Sequence, residues 1–393
     1  MPKWPFTFVF YGAAVLTSGT YGTFASTETV IYNLPPNADA TGRLMQLTNG
    51  ALLGTSYYGG KNNDGFLYQL IEKHGTWRGR IVYNFSGNDG ENPFSGLTES
   101  NNVLYGTTRY GGLYGWGTAF SLVETSGHWS ESNLYSFTSG TDGDEPDGRL
   151  IVDHLSGTLF GTASSNVSGV GCGDVFSYAP DGTFTVLYAF LGGADGCIPE
   201  TRLVFGLAKN SLIGSTDYQG KHEYGTVFEL RNSNGTWVEN PIHQFTGGAD
   251  GGRVSDLVND QLGDVFGVTG DGGTYGQGVV FEISKASGKW RETVLHSFTG
   301  GADGGAPVGL LLDKTTGTLY GTTSAGGTYG LGTAFELVPG ATWTEHVLHS
   351  FGGSGDGSTP ITDITQDKTT GNFYGTTAAG GIYGSGVVYM ITP

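Results

Sequence analysis

Cationic side chains are scarce in this chain of 393 residues, where 18 Lys and Arg stand against 36 Asp and Glu and the net charge is −18. A nucleic-acid partner needs clustered Lys and Arg to neutralise phosphates, so the composition argues against one. An acidic surface also repels anionic lipid headgroups. With charged residues at only 14%, the composition suits a secreted protein better than a cytosolic enzyme.

The motifs of common catalytic and cofactor sites are also absent. The chain has no GxxxxGK[ST] phosphate loop, no GxSxG elbow and no Cys/His cluster with zinc-ligand spacing. Its Gly-rich strings join two strands, so they lack the helix N-terminus that binds phosphate. We therefore expect no cofactor and no metal.

No apolar run is long enough to cross a membrane. The run from Phe6 to Leu16 has 11 residues, whereas a spanning helix needs about 20. Lys3 precedes this run, and small and polar residues follow it up to Ala25. This layout predicts a secretory signal peptide over residues 1–25 and no membrane span after its removal.

Glycine, in contrast, is abundant, with 71 residues, and seven of the glycines recur at spacings of 52 to 55 residues. Each lies in a strand-like pattern such as Leu319-Tyr320-Gly321-Thr322-Thr323. A period of this size is typical of propellers and solenoids. The repeat glycines are Gly54, Gly106, Gly161, Gly214, Gly267, Gly321 and Gly375.

Each repeat contains four short strand-like runs separated by turn signals, which predicts an all-β fold of four-stranded antiparallel blades. Apolar residues that recur in the third and fourth strands are predicted to form the core, where neighbouring blades stack. The third-strand aromatic residues are Tyr68, Phe120, Phe176, Phe228, Phe281, Phe335 and Tyr389.

The two ends of the repeat region complement each other. Residues 28–33 resemble a fourth strand, whereas the segment 358–393 stops after a third strand. The N-terminal strand can therefore complete the last blade and remove an exposed sheet edge. We predict one domain, residues 26–393, that forms a closed seven-bladed β-propeller.

The units resemble a known family. The strings Gly326-Gly327-Thr328-Tyr329-Gly330 and Gly332-Thr333-Ala334-Phe335-Glu336-Leu337, which follow the pattern around Gly321, are similar to the GloVer-type tandem repeat of exported bacterial proteins. The resemblance covers the whole chain after residue 25 and implies an exported bacterial propeller. It supplies no catalytic residues. Since no anchor follows Ile391, we expect a secreted or periplasmic monomer.

Two cysteines occur, Cys172 in the Gly-rich hairpin of the third repeat and Cys197 in the loop after its fourth strand. Both loop types emerge on one face of a propeller, so the pair is predicted to form a disulfide. Two free buried thiols are the alternative.

An Asp recurs in every loop that follows a fourth strand. Seven such carboxylates could hold calcium, but a turn in which the carboxylate accepts local backbone N–H groups explains the same pattern. We favour the turn. The residues are Asp39, Asp89, Asp142, Asp195, Asp250, Asp303 and Asp356.

Function in a repeat protein is expected where one copy departs from the others. The hairpins between second and third strands share one face, here named the loop face, with the connections between blades. In these hairpins the fourth blade has Lys221, His222 and Glu223, the first has Tyr57 and Tyr58, and the second has Arg109, Tyr110 and Trp116. Aromatic faces beside polar groups suit a sugar, although ordinary exposed turns have the same composition.

The innermost strand carries a third set of unusual residues. Just before its core aliphatic residue, five copies have a charged side chain: Arg43, Arg149, Arg202, Asp256 and Asp363. These groups are predicted either to form ion pairs between blades or to surround the channel mouth and bind an anion, since arginine suits bidentate carboxylate recognition.

These observations favour an exported propeller that binds a carbohydrate or cell-envelope glycan on its loop face. A structural or protein-interaction scaffold is one alternative. Another is a polysaccharide-degrading enzyme. For a uronate lyase, Arg149 and Arg202 would neutralise the substrate carboxylate, and His222 or Tyr110 would move the proton.

A glycoside hydrolase is the other enzymatic alternative. It needs two carboxylates at a suitable separation, and Glu223 with Asp256 is the candidate pair.

Overall fold

The computed structural model describes residues 26–165, 171–208, 210–260, 262–352 and 355–393. These residues form 29 strands and one short 3-10 helix, Gly193–Asp195. The strands make seven antiparallel sheets in a ring, which confirms the seven-bladed propeller. The predicted signal peptide, residues 1–25, lies outside the described residues. In the described part of the chain, no helix has the length and apolar character needed to cross a bilayer.

Each blade begins with an inner strand at the central channel and ends with an outer strand at the rim. The strands of blades one to four are given in order from the inner to the outer strand. Blade one is β2 (Met45–Gln46), β3 (Leu52–Ser56), β4 (Phe66–Lys73) and β5 (Thr76–Asn84). Blade two is β6 (Thr98–Ser100), β7 (Val103–Thr108), β8 (Thr118–Thr125) and β9 (His128–Ser136). Blade three is β10 (Ile151–Val152), β11 (Leu159–Ala163), β12 (Asp174–Tyr178) and β13 (Phe184–Ala189). Blade four is β14 (Val204–Phe205), β15 (Ser211–Thr216), β16 (Thr226–Ser233) and β17 (Thr236–Gln244).

The last three blades have longer inner strands, although that of blade seven is divided into β26 and β27. Blade five is β18 (Gly252–Asn259), β19 (Val265–Asp271), β20 (Val279–Ala286) and β21 (Lys289–Ser297). Blade six is β22 (Gly305–Leu312), β23 (Leu319–Ala325), β24 (Thr333–Val338) and β25 (Thr344–Ser350). Blade seven is β26 (Gly357–Pro360), β27 (Thr365–Gln366), β28 (Phe373–Gly380), β29 (Val387–Thr392) and the N-terminal strand β1 (Thr27–Asn33).

The N-terminal strand closes the ring as predicted. β1 pairs antiparallel with β29, and its register extends from Thr27 opposite Thr392 to Asn33 opposite Val387. The strand thus occupies the outer position of blade seven, and the sheet edge of β29 is covered.

The repeat position requires glycine because an aromatic ring of the neighbouring strand lies directly over it. At Gly267, an added Cβ would come within 2.4 Å of Phe281 Cζ. The other six repeat glycines have the same relation to their third-strand aromatic residue, at 2.2 to 2.6 Å. A side chain at this position would displace a core ring, so the glycine is required by close approach.

Aromatic contacts also join adjacent blades. In blades one to six, the Phe after the fourth strand meets the third-strand ring of the next blade, as in Phe245 with Phe281, whose centroids are 5.2 Å apart in an edge arrangement. All of these rings are buried, and such pairs add about 0.5–1.5 kcal/mol beyond area burial. The predicted core residues are therefore confirmed as the contacts between blades.

The Asp residues of the connecting loops accept backbone N–H groups, as the turn interpretation predicts. Asp250 accepts from Thr246 at 2.9 Å, and Asp142 accepts from Thr138 at 2.8 Å. The same bond occurs at Asp89, Asp195, Asp303 and Asp356. Asp39 differs, because its backbone carbonyl accepts from the N–H of Tyr57 instead.

A glutamate of the next blade lies beside five of these loops. Burial, and then the neighbouring loop aspartate, raises the pKa of each glutamate to about 7. One carboxylate oxygen of each is buried without a hydrogen-bond partner among the described residues. We name the five residues the interblade glutamates: Glu28, Glu131, Glu239, Glu292 and Glu345.

Cys172 and Cys197 form the predicted disulfide. It joins the hairpin between β11 and β12 to the segment that precedes β14, and both cysteines are buried. The sequence separation is 25 residues, and a loop of this size corresponds to roughly 3 kcal/mol of stabilisation.

Candidate functional site

The five charged residues of the inner strands come together inside the channel. Arg43 Nη1 lies 2.8 Å from Asp363 Oδ2, and Arg202 Nε lies 3.0 Å from Asp256 Oδ1. Arg202 also reaches Asp363 at 3.6 Å, from blade four to blade seven. Four of the five residues thus form the ion pairs that the sequence predicted as one alternative. We name the five residues together the channel layer.

Arg149 is the exception. No ion pair or hydrogen bond joins it to another residue in the described ranges. Burial, and then the like charges of Arg202 and Arg43, lower the pKa of its guanidinium to about 9, although Asp363 and Asp256 act in the opposite direction. The channel layer therefore contains three guanidinium groups and two carboxylates.

The remaining two copies have glycine at this position, and the absence of a side chain there leaves room for the channel layer. At Gly309 an added Cβ would lie 2.3 Å from the Cα of Asp363, and at Gly96 it would lie 2.8 Å from the carbonyl oxygen of Arg43. Blades two and six thus contribute backbone where the other blades contribute charge.

The channel layer lies between two cavities. The larger has a volume of about 570 Å³ and is lined by Arg43, Arg149 and Arg202, and by Phe205 and Lys314, which lie directly before or within turns between first and second strands. These turns lie on the face opposite the loop face. The three arginines therefore border the larger cavity of this opposite face, and they also line the smaller cavity.

The smaller cavity, of about 120 Å³, opens toward the loop face. Besides the channel layer, it is lined by Thr41, Phe94, Asp147 and Glu200. Four carboxyl groups thus accompany the three arginines in the smaller cavity, whereas Lys314 and Asp260 accompany them in the larger one. The two ends of the channel therefore differ in their balance of charge.

Beside the smaller cavity, Arg109 organises a polar and aromatic cluster. Its guanidinium lies 2.7 Å from Glu145 and 3.6 Å from Asp147, and 5.7 Å from the ring centroid of Phe94. The hydroxyl of Tyr110 donates to Glu145 at 3.1 Å. Two of the predicted site residues are therefore fixed on one carboxylate.

Tyr57 and Tyr58 extend the same surface. The ring of Tyr57 meets Phe94 and Tyr58 edge-on, with centroids 6.0 and 4.7 Å apart. Burial raises the pKa of Tyr57 to about 12, whereas Tyr58 is 47% exposed. We name Tyr57, Tyr58, Phe94, Arg109, Tyr110 and Glu145 the loop-face cluster.

Asp147 is a functional candidate that the sequence comparison missed. Its side chain is fully buried, and burial raises its pKa to about 8, although Arg109 acts in the opposite direction. Ser164 donates to it at 3.0 Å. Asp147 and Glu200 lie two residues before Arg149 and Arg202 in chain order. The signal in the sequence is that this repeat position is acidic in two copies and uncharged in the other five.

The hairpin of blade four does not join the cluster. Lys221, His222 and Glu223 are all exposed, and no contact with the loop-face cluster or the channel layer involves them among the described residues. Asp256 is paired with Arg202 inside the channel. The structure therefore does not bring Glu223 and Asp256 together as the pair of carboxylates that a hydrolase needs.

Trp116 lies at the edge of the cluster. Its side chain is 38% exposed, and its backbone carbonyl accepts the N–H of Glu145 at 3.3 Å. An exposed indole thus belongs to a residue whose backbone is bonded to Glu145, which binds Arg109 and Tyr110.

These features define a seven-bladed propeller with an aromatic loop face and a charged channel. The chain belongs to the Gloeobacter/Verrucomicrobia repeat family, whose model matches residues 11–223 and 206–393. No curated protein matches the chain.

Solved structures share the fold at low sequence identity. The extracellular domain of a proposed hybrid two-component system from B. thetaiotaomicron has a TM-score of 0.58 and 13% identity, and the match covers 93% of this chain and 39% of that one. A proposed 6-phosphogluconolactonase from Bacteroides uniformis has a TM-score of 0.55 and 14% identity, with 86% and 94% covered. This likeness shows the fold alone.

Proposed function

We propose that the chain is an exported bacterial propeller that binds a carbohydrate on its loop face. The observation that carries the proposal is the loop-face cluster, in which aromatic rings lie beside an Arg–Glu pair at the channel. Sugars bind through stacking of C–H faces on rings and through hydrogen bonds to hydroxyl groups, and the cluster offers both. Tyr58 and Trp116 are the exposed rings on which a sugar would stack.

Export is part of this proposal. The disulfide between Cys172 and Cys197 is favoured in an oxidising compartment such as the periplasm or the exterior. The layout of residues 1–25 supports the same location. A ligand at the cell envelope is consistent with both.

A glycan-array screen of the full chain, followed by titration of the best ligand, tests the proposal. We expect Tyr58→Ala and Trp116→Ala each to weaken binding by about tenfold, because one stacking contact contributes on the order of 1 kcal/mol or more. Tyr329→Ala is the matched control, since Tyr329 is 58% exposed in the corresponding hairpin of blade six. Equal losses in all three variants, or no glycan ligand at all, would favour the scaffold alternative.

A second candidate function, a polysaccharide-degrading enzyme, is favoured by one observation. Asp147 has a pKa raised to about 8 by burial and could serve as a general acid near neutral pH. Incubation of the best glycan with the protein, followed by detection of an unsaturated or shortened product, tests for turnover. If turnover occurs, Asp147→Asn should lower kcat by at least about 100-fold, and His222→Ala should have a similar effect only if the exposed hairpin takes part.

A further inference from the structure

The channel layer carries one positive charge in excess. Asp256 and Asp363 pair with Arg43 and Arg202, while Arg149 has no carboxylate partner in the described part of the chain. A partly buried cation without an ion pair is unfavourable because it has lost solvation, and Asp363 and Asp256 attract it without forming a salt bridge to it. An anion held against Arg149 would supply that charge.

The larger cavity is the side from which an anion can reach this guanidinium. Arg43, Arg149 and Arg202 form its inner end, and Lys314 lies at its rim. Asp260 is the one carboxylate among its lining residues, and it already accepts backbone N–H groups of Leu262, Gly263 and Asp264 at 2.7 to 2.9 Å. The field at this end of the channel therefore attracts anions.

The opposite end of the channel is less favourable for an anion. The smaller cavity is lined by the same three arginines but also by the carboxyl groups of Asp147, Glu200, Asp256 and Asp363. These carboxyl groups offset the attraction that the arginines exert on a negative ligand. The larger cavity is therefore the better site for an anion.

The walls of the larger cavity are apolar beyond the arginines. Ile151, Val204, Phe205, Leu207 and Leu312 line it, and Leu207 is 68% exposed at its outer end. Ligand sites commonly have about 300–1,000 Å³ with apolar walls and a few polar groups that fix orientation. A cavity of about 570 Å³ lies within that range and suits a small molecule with a charged head and an apolar body.

We propose that this cavity binds a small organic carboxylate, with the carboxylate against Arg149 and the apolar body between Phe205, Leu207 and Leu312. This second site lies on the face opposite the proposed glycan site. It does not depend on that site. Arginine is suited to the role because its planar donors match a carboxylate bidentately.

Calorimetric titration of the full chain with benzoate, hexanoate and inorganic phosphate tests the proposal. We expect saturable binding of the two carboxylates and binding of phosphate that is at least about tenfold weaker, because phosphate has no apolar body to bury. Binding of phosphate as tight as that of benzoate would show that the apolar walls play no part and would overturn this assignment of the ligand class.

Two variants locate the site. Arg149→Gln should weaken benzoate binding by at least about tenfold, the loss of one charge-assisted contact, and should leave the free protein at least as stable as before. Leu207→Trp should block the cavity from outside without touching the arginines. The matched control, Arg291→Gln, removes the same charge from an exposed position on β21 and should leave binding unchanged.

Each result decides for or against the site. Equal losses in Arg149→Gln and Arg291→Gln would mean that only net charge matters, and normal binding in both Arg149→Gln and Leu207→Trp would place the carboxylate elsewhere. The variants Tyr58→Ala and Trp116→Ala should bind benzoate normally, so a failure of the glycan proposal leaves this one standing.

Discussion

Five of the seven rings that lie over a repeat glycine are phenylalanine, whereas Tyr68 and Tyr389 carry a hydroxyl group. Both tyrosines are fully buried, and neither hydroxyl has a hydrogen-bond partner among the described residues. Burial raises the pKa of both, so each hydroxyl stays neutral. A buried polar group without a partner costs about 1–3 kcal/mol.

We therefore expect Tyr68→Phe to increase the free energy of unfolding by about 1 kcal/mol, because the ring stays in place and the unpaired hydroxyl is removed. Chemical denaturation with urea would measure this change. The converse substitution, Phe281→Tyr, should destabilise the protein by a similar amount. A clear loss of stability in Tyr68→Phe would show that its hydroxyl has a partner in solution.

At this scale, the sequence predicts residues whose role is repeated and misses residues whose role depends on geometry. The core rings recur seven times, so their periodicity alone identifies them. Asp147 and Glu200 occupy a repeat position that is acidic in two of the seven copies, and their importance depends on burial beside Arg109, which periodicity does not report.

At the scale of single elements, the four predicted strands occur in every blade, but the inner strands vary. β2, β10 and β14 have two residues each, whereas β18 and β22 have eight. In blades two to four, isolated bridges such as Glu91 with Tyr110 continue the pairing on the loop side of the interruption. The interrupted segments hold Phe94, Asp147 and Glu200, so the irregular inner strands form the wall of the smaller cavity.

The N-terminal strand β1 should contribute strongly to stability. A chain that begins at Pro35 leaves the edge of β29 unpaired and exposes apolar residues that pack on Val30. We expect its thermal midpoint to fall by more than about 10 °C relative to a chain that begins at Ser26, with self-association visible by size-exclusion chromatography.

Complementation provides the control for this truncation. A peptide of residues 26–36 added in trans should restore the midpoint, since it can pair with β29 as β1 does. An unchanged midpoint in the truncated chain would mean that the ring closes without this strand.

At the scale of the whole molecule, the interblade glutamates link five blade contacts to pH. The pKa of each is about 7 in the folded chain, against 4.5 for the ordinary side chain. The folded state thus binds more protons than the unfolded state between these values. Their stabilising contribution is complete below 4.5 and is lost as the pH rises through 7.

We therefore expect the thermal midpoint to be higher at about pH 5.5 than at about pH 8.5. Burial lowers the pKa of His243 and His296. Their contribution to stability is lost as the pH falls, so it opposes the effect of the glutamates. Because five glutamates outnumber these two histidines, the thermal midpoint should still decrease as the pH rises.

Matched variants separate the contributions. The double variant Glu131→Gln and Glu239→Gln imitates the protonated form at two contacts where a tyrosine donates to the loop aspartate, and it should flatten the dependence on pH. Glu124→Gln, at an exposed position of β8, should not. A midpoint that rises with pH would contradict the role assigned to these carboxyl groups.

The sequence predicts less of the candidate site than of the fold. The strand order indicates which loops share a face, and this information places Tyr57, Arg109 and Tyr110 near one another. It does not report how deep a side chain lies in the channel. The inner-strand arginines lie deep enough to border the cavities at both ends of the channel, a result that depends on packing around Gly96 and Gly309.

The pairing of Thr27 with Thr392 also has a consequence for how the chain reaches its native state. The two partners are separated by nearly the entire sequence, so β1 must remain unpaired until β29 has been synthesised. Contacts of such high sequence separation form slowly because a long loop must first be closed. During that interval the open edge requires protection from other chains, and ring closure is expected to be the last step of folding.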